Sequence, residues 1–289
     1  MIIDSHFHVE EEMLTIEEMI KKMDEVGIIK TALMGKIVDP IPEPPVFAQK
    51  LFQFTVMHNF SRNIAEKLTS TFTSEGDIDV LGTPYKIYKD VDNDEVFTIC
   101  EKYSDNFYGW IFVNPRGSVN MVDEINRWKK HPAFIGVKAH PFWHQFAPIE
   151  LVPAAEICVK EKKPLIIHSG FNDHGDFLKL LDKVPQLNII LAHGGFPYFK
   201  NTWNVIKDMK NVFVDLSQSA YLSEKMMQMT YDALGPDRCI YGSDGAVGKV
   251  GADGKFDYTL MKNRVERIVT DEESRKKVFC DNFQRICNL

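Results

Sequence analysis

His6 and His8 close an apolar run at the head of the chain, Met-Ile-Ile-Asp-Ser-His-Phe-His. Side chains alternate along a strand, so a His-x-His pair at a strand end sends both imidazoles to the same side. Two imidazoles that grip one ion make half of a four-ligand zinc site, or part of an iron or manganese site. Further along, ionisable residues again follow apolar, strand-like segments. Asn114 and Arg116 come after 107–113, Lys138 and His140 lie at the end of 134–139, and His168 ends 164–168. His193 follows 188–192 and Asp244 follows 239–242. One such residue is an ordinary strand end meeting water. Histidine or aspartate at the ends of four separate segments points instead to metal binding combined with acid–base catalysis.

The elements that must position these residues are legible from periodicity. Leu14, Ile16, Met19, Ile20, Met23 and Val26 predict a helix over 14–26, with Thr15 and Glu18 as a capping box and Gly27 as its stop. A strand at 29–34 follows. From Asp92 onward helix and strand alternate: helices at 94–103, 119–130, 149–162, 177–184, 198–209 and 223–234 fall around strands at 107–113, 134–139, 164–168, 188–192, 212–216 and 239–242. Two helices, 258–269 and 271–283, close the chain. Eight strand candidates in this order predict an α/β fold, a (β/α)8 TIM barrel in a single domain over 1–289. In such a barrel the C-terminal ends of all strands share one mouth, so the residues above would converge. No G-x-G-x-x-G turn follows the first strand, which argues against an open dinucleotide-binding sheet.

One stretch breaks the rhythm. Between about 36 and 92, Pro40, Pro42, Pro44 and Pro45 precede an apolar, aromatic run over 46–73. This predicts one or two helices inserted after the second strand, serving as a lid or a subunit contact, because ordinary connections are only about two to six residues long. His58 and Arg62 lie here as further candidates to reach a ligand.

Composition narrows the class. The 289 residues are 44% hydrophobic, enough for a substantial core, and the net charge of −7 argues against a surface for nucleic acid. No apolar segment of membrane-spanning length and no basic leader with a cleavage site occur, so the expectation is a soluble cytoplasmic protein without a membrane partner. A small-molecule substrate is expected, with a homodimer or larger homo-oligomer left open. The five cysteines, Cys100, Cys158, Cys239, Cys280 and Cys287, show no C-x-x-C spacing and read as reduced thiols.

Taken together, Ile3-Asp4-Ser5-His6-Phe7-His8, Gly136-Val137-Lys138-Ala139-His140-Pro141, Leu165-Ile166-Ile167-His168-Ser169-Gly170, Leu191-Ala192-His193-Gly194-Gly195 and Tyr241-Gly242-Ser243-Asp244 resemble the amidohydrolase superfamily. The likeness is to its amidohydrolase-related branch, which includes aminocarboxymuconate-semialdehyde and resorcylate-type decarboxylases, and it spans the chain apart from the insertion. The resemblance implies one divalent ion per chain, zinc first with manganese or iron as alternatives, held by His6, His8, His168 and Asp244. It implies His193 as an acid/base or substrate-polarising residue beside Asp244. Lys138 matches a position where some members carry a carbamylated lysine bridging two metals; the single-metal reading makes it an ion-pair partner within the protein or a partner for a substrate anion. Arg116, Lys138, His140, Trp143 and Phe171 are the substrate-binding candidates, with a surface salt bridge as the other reading of Arg116 and with His144 and Phe196 as further wall residues. Asp4 is expected beneath the metal as a structural hydrogen-bond partner rather than a ligand, and in a regular strand its carboxylate would be placed to orient a histidine. The implied activity is metal-dependent hydrolysis of a small carboxylate- or carbonyl-containing substrate through an activated water. Non-oxidative decarboxylation of a small aromatic or unsaturated acid is the alternative, and a catalytically silent binding barrel is the alternative of a different class.

Overall fold

A computed structural model describes residues 1–80, 82–246, 251 and 254–289; Leu81, within the expected insertion, lies outside them. The strands are β1 (Ile2–His8), β2 (Ile28–Met34), β3 (Ile78–Val80), β4 (Thr83–Tyr85), β5 (Phe107–Phe112), β6 (Phe134–Ala139), β7 (Leu165–Ile167), β8 (Ile189–Leu191), β9 (Val212–Asp215) and β10 (Cys239–Ile240). Eight of them form one parallel sheet in the order β1-β2-β5-β6-β7-β8-β9-β10, with helices in the crossovers. The circle closes through the segment after β10. Ser5 N–H donates to Tyr241 O at 3.1 Å, Asp244 N–H to His6 O at 2.8 Å and His8 N–H to Gly245 O at 2.6 Å. This is the (β/α)8 barrel that the alternation predicts.

Local sequence accounts for the elements. Ile16–Val26 starts at Thr15, whose hydroxyl accepts from Glu18 N–H while the Glu18 carboxylate accepts from Thr15 N–H. It ends at Gly27, whose φ of +77° is the left-handed conformation that glycine adopts without penalty. Strands bracketed by such helices are buried on both sides and read as continuous apolar runs. Each barrel strand places at least one residue in an inner cluster, among them Ile3, Trp110, Ile135, Ile166, Ile190, Phe213 and Ile240. Phe283, Ile286 and Cys287 of the C-terminal helix join the same cluster. A second, larger cluster fills the space between strands and helices.

The insertion contains two helices, Val46–Met57 and Arg62–Thr69, and also the antiparallel hairpin β3–β4, which the apolar periodicity did not reveal. The expected helix over 271–283 is instead Glu272–Lys276, a π turn at Lys277–Asp281 and a helix Asn282–Cys287. All five cysteines are free and buried. Among the described residues no helix is long and apolar enough to cross a membrane.

Candidate metal centre

The residues at the strand ends meet at one mouth. His6 Nε2 lies 3.0 Å from Asp244 Oδ1, and His8 Nε2 lies 3.7 Å from the same oxygen. An ion bonded to nitrogen and oxygen at about 2.0–2.1 Å in tetrahedral geometry separates its ligand atoms by roughly 3.3 Å, a value that these two distances bracket. The donor set therefore fits a divalent ion. His168 falls outside the 4.8 Å that groups these three, yet its Nε2 is buried with no hydrogen-bond partner.

Hydrogen bonds decide which ring nitrogens are free. His8 Nδ1 donates to Gly35 O at 3.0 Å, and His6 Nδ1 donates to Asp215 Oδ2 at 2.9 Å, so both Nε2 atoms face Asp244 and are the nitrogens left to ligate an ion. A longer chain reaches His168. Ser217 Oγ donates to Asp215 Oδ1, which leaves it to accept the His193 Nδ1 proton at 2.8 Å. His193 Nε2 must then accept from His168 Nδ1 at 3.1 Å, and the unpartnered His168 Nε2 carries a lone pair. One carboxylate, Asp215, thus sets the tautomers of His6, His193 and His168.

Charge is arranged to suit. Burial pushes His8 down to about 3 and His193 down to about 4, and holds His140 and His168 well below the usual imidazole range, so these rings are neutral at pH 7. Despite burial, the charge and hydrogen bond of His6, itself held above the usual imidazole range by Asp244 and Asp215 against burial and Lys138, keep Asp244 well below the usual carboxylate range. Asp215 is lowered too, against burial, by His6 and its neighbours. Burial brings the Lys138 ammonium down to about 8; its Nζ sits 3.3 Å from His6 Nε2, and among the described residues no carboxylate pairs with it. His193, Gln218 and Asp244 have φ near +55° to +58°, and such strained non-glycine backbone clusters at functional sites.

The other sequence candidates divide. His140 Nδ1 accepts Trp143 N–H at 3.0 Å, and its ring lies 4.0 Å from that of His168. Trp143, Phe142, Phe196 and Tyr221 place their rings 5.5–6.2 Å from His168, forming an aromatic wall. Phe171 packs behind it on Phe142 and Phe196. Arg116 takes the salt-bridge alternative: its guanidinium forks onto Glu150 with two 2.9 Å bonds at the surface, which engages the geometry that would have clamped a substrate carboxylate. His58 packs between Phe54 and Phe60, and Arg62 lies over the Tyr198 ring, so neither turns to the centre. His144 Nε2 donates to Tyr88 O at 3.1 Å. Asp4 is a structural hydrogen-bond partner, accepting from Ser243 N–H, Ser243 Oγ and His6 N–H and so tying β1 to the loop that carries Asp244; β1 shifts register between Asp4 and Phe7, and the carboxylate orients no histidine ring.

Asp215, Ser217, Gln218 and Tyr221 escaped the sequence reading. The segment Val-Asp-Leu-Ser-Gln-Ser sits at the end of the seventh barrel strand, and the strand-end rule that selected the histidines applies to it equally. Reading 212–216 as continuous strand hid Asp215 among apolar neighbours. Gln218 Nε2 donates to Asp244 Oδ2 at 2.8 Å, so both oxygens of that carboxylate have assigned directions.

A closed parallel barrel with a histidine–carboxylate cluster at the strand C-termini defines a class, the (β/α)8 enzymes whose mouth can hold a divalent ion. Within that class the chain belongs to the amidohydrolase family, whose model matches residues 3–286. Solved structures agree on the fold. The 4-oxalomesaconate hydratase of Rhodopseudomonas palustris is 16% identical, with 100% of this chain and 96% of that one covered and a TM-score of 0.62. The 5-carboxyvanillate decarboxylase of Novosphingobium aromaticivorans, solved with manganese and 4-hydroxy-3-methoxy-5-nitrobenzoic acid, is 18% identical over 94% of this chain and 79% of that one, with a TM-score of 0.58. A Pseudomonas putida protein assigned to 2-pyrone-4,6-dicarboxylic acid hydrolysis is 14% identical over 99% and 97%, with a TM-score of 0.65. No curated protein sequence matches.

Proposed function

We propose that this amidohydrolase-family enzyme hydrolyses a small, flat substrate bearing a carboxylate or carbonyl group. The observation that carries the reading is the convergence of His6 Nε2, His8 Nε2 and Asp244 Oδ1, with the bare, buried His168 Nε2 nearby. These four residues would hold one divalent ion, zinc or, as in the 5-carboxyvanillate decarboxylase structure, manganese. When bound, the ion supplies Lewis acidity that polarises a carbonyl and makes water a competent nucleophile. Asp244 accepts the proton of the attacking water and returns it to the leaving group. The buried Lys138 ammonium pairs with a substrate anion, and the wall of Phe142, Trp143, Phe196 and Tyr221 covers a planar group. His193, with both nitrogens engaged inside the protein, orients His168.

Decarboxylation is the second reading, and the aromatic wall favours it: a ring acid fits there with its carboxylate toward Lys138. The C–C bond would break to release carbon dioxide, and the ring carbon would take a proton from an acid at the mouth. Metal analysis joined to a substrate screen tests both. One equivalent of zinc or manganese per chain is expected, with activity lost to a chelator, whereas two equivalents would turn the reading to a carbamylated Lys138 bridging a pair. Carbon dioxide release scored separately from ester, lactone and amide hydrolysis decides between the reactions. A protein that gains no stability from either ion would overturn the metal reading itself.

A further inference from the structure

The inserted helices have two working sides, and the proposed chemistry uses only one. On the inner side, Gln53 Nε2 donates to Ser219 O at 3.1 Å and Ala220 O at 3.0 Å, and Phe52 packs on Phe196 and Tyr221 of the aromatic wall. On the outer side, Phe47, Leu51 and Phe54 recur at i, i+4 and i+7 along Val46–Met57. Phe60, Ile64 and Leu68 recur at i, i+4 and i+8 on and just before Arg62–Thr69. These six are 51% to 81% exposed. The two stripes are one surface, because the His58 ring bridges them at 4.3 Å from Phe54 and 5.6 Å from Phe60.

We propose that this two-helix face is the docking surface for a second copy of the chain. Size is the first argument. At about 200 Å² for a fully exposed large side chain, the six contribute roughly 750 Å² of apolar surface. The largest patch on a monomer is on the order of 300–600 Å², whereas a stable interface needs roughly 800 Å² from each partner. Geometry is the second: a pair of helices presenting parallel rows of i, i+4 side chains can meet its own image across a two-fold axis, as in helical bundles. Charge is the third. The chain carries −7 overall, yet the exposed charges flanking these stripes include Lys50 and Lys67, so two copies meet here without opposing their acidic surfaces. An anionic membrane surface would instead repel the rest of the chain.

Sedimentation velocity on the full chain between about 1 and 50 µM tests this. Wild type is expected at twice the 33.2 kDa chain mass, and Leu51→Glu with Phe60→Glu at the monomer mass, both with native circular dichroism. Should the double variant fail to fold, Phe47→Asn, a single change at a position more exposed than Leu51, is expected to raise the dimer dissociation constant at least tenfold. Hydrogen exchange on wild type is expected to show amides of 46–69 better protected at high concentration than at low. A wild-type monomer throughout the range, a variant that stays dimeric, or a monomer that floats with phosphatidylcholine–phosphatidylserine vesicles would each overturn the proposal.

Discussion

Replacing Ser217 with alanine removes a single hydroxyl and should weaken metal binding at a residue that touches no metal. Ser217 Oγ joins Asp215 to His193 Nδ1 across 2.8 Å, and His193 Nε2 in turn takes the proton of His168 Nδ1 across 3.1 Å. Without the hydroxyl, the His193 Nδ1 proton loses its acceptor in a fully buried position, a loss of about 1–3 kcal/mol. The ring escapes that cost by moving its proton to Nε2, where it opposes the His168 Nδ1 proton. His168 then protonates at Nε2, the very atom with a free lone pair in the present structure. Metal must reverse this shift before it binds, so affinity for zinc or manganese should fall about ten- to a hundredfold, or roughly 1.4–2.7 kcal/mol. Competition against a fluorescent chelator at pH 7.5 reads the change directly. Ser219→Ala is the control, since the Ser219 hydroxyl has no partner, and it should bind within twofold of wild type. Asp215→Asn should cost more than Ser217→Ala because it also unseats His6. The two losses should not add, since both act through one carboxylate. Binding by Ser217→Ala within threefold of wild type would refute the reasoning.

Asp244→Asn should abolish turnover with the fold retained. Asparagine tolerates the φ of +58° at this position, so near-normal rates, with an unchanged circular dichroism spectrum, would remove Asp244 from the chemistry. Acid should destabilise the protein through its buried imidazoles. Burial pushes His144 down to about 4 from an ordinary value near 6.5, so the unfolded chain takes up a proton first and stability falls as pH drops from about 6.5 to about 4. The loss from this ring alone approaches roughly 3 kcal/mol at the low end; urea unfolding of His144→Phe should show a shallower acid limb than wild type, and identical limbs would exclude it. Gly136→Ala should destabilise by about 1–3 kcal/mol, because the new Cβ would lie 2.5 Å from both Pro164 O and the Trp110 ring. Its thermal midpoint matching wild type would mean that β6 sits further from the inner cluster than described.

The alternation of apolar runs by itself determined the barrel. Strands buried on both faces must be continuously apolar, and crossover helices must carry an apolar stripe, so both leave periodic marks that survive without coordinates. His6, His8, His168, His193 and Asp244 stood out for a related reason: a polar residue directly after an apolar run is conspicuous in one dimension. What that view lacked was direction. Register shifts in β1 between Ile2 and Ile3 and between Asp4 and Phe7 let Ile3 join the inner cluster while His6 and His8 still face Asp244, and strict alternation cannot express that. Only the fold could bring Asp215 to His6, 209 positions away, or show that Arg116 is claimed by Glu150 and Lys138 by no carboxylate among the described residues. Which residues can do chemistry is written in their types. Which hydrogen bond sets each tautomer depends on contacts between distant strands, and those exist only once the barrel has closed.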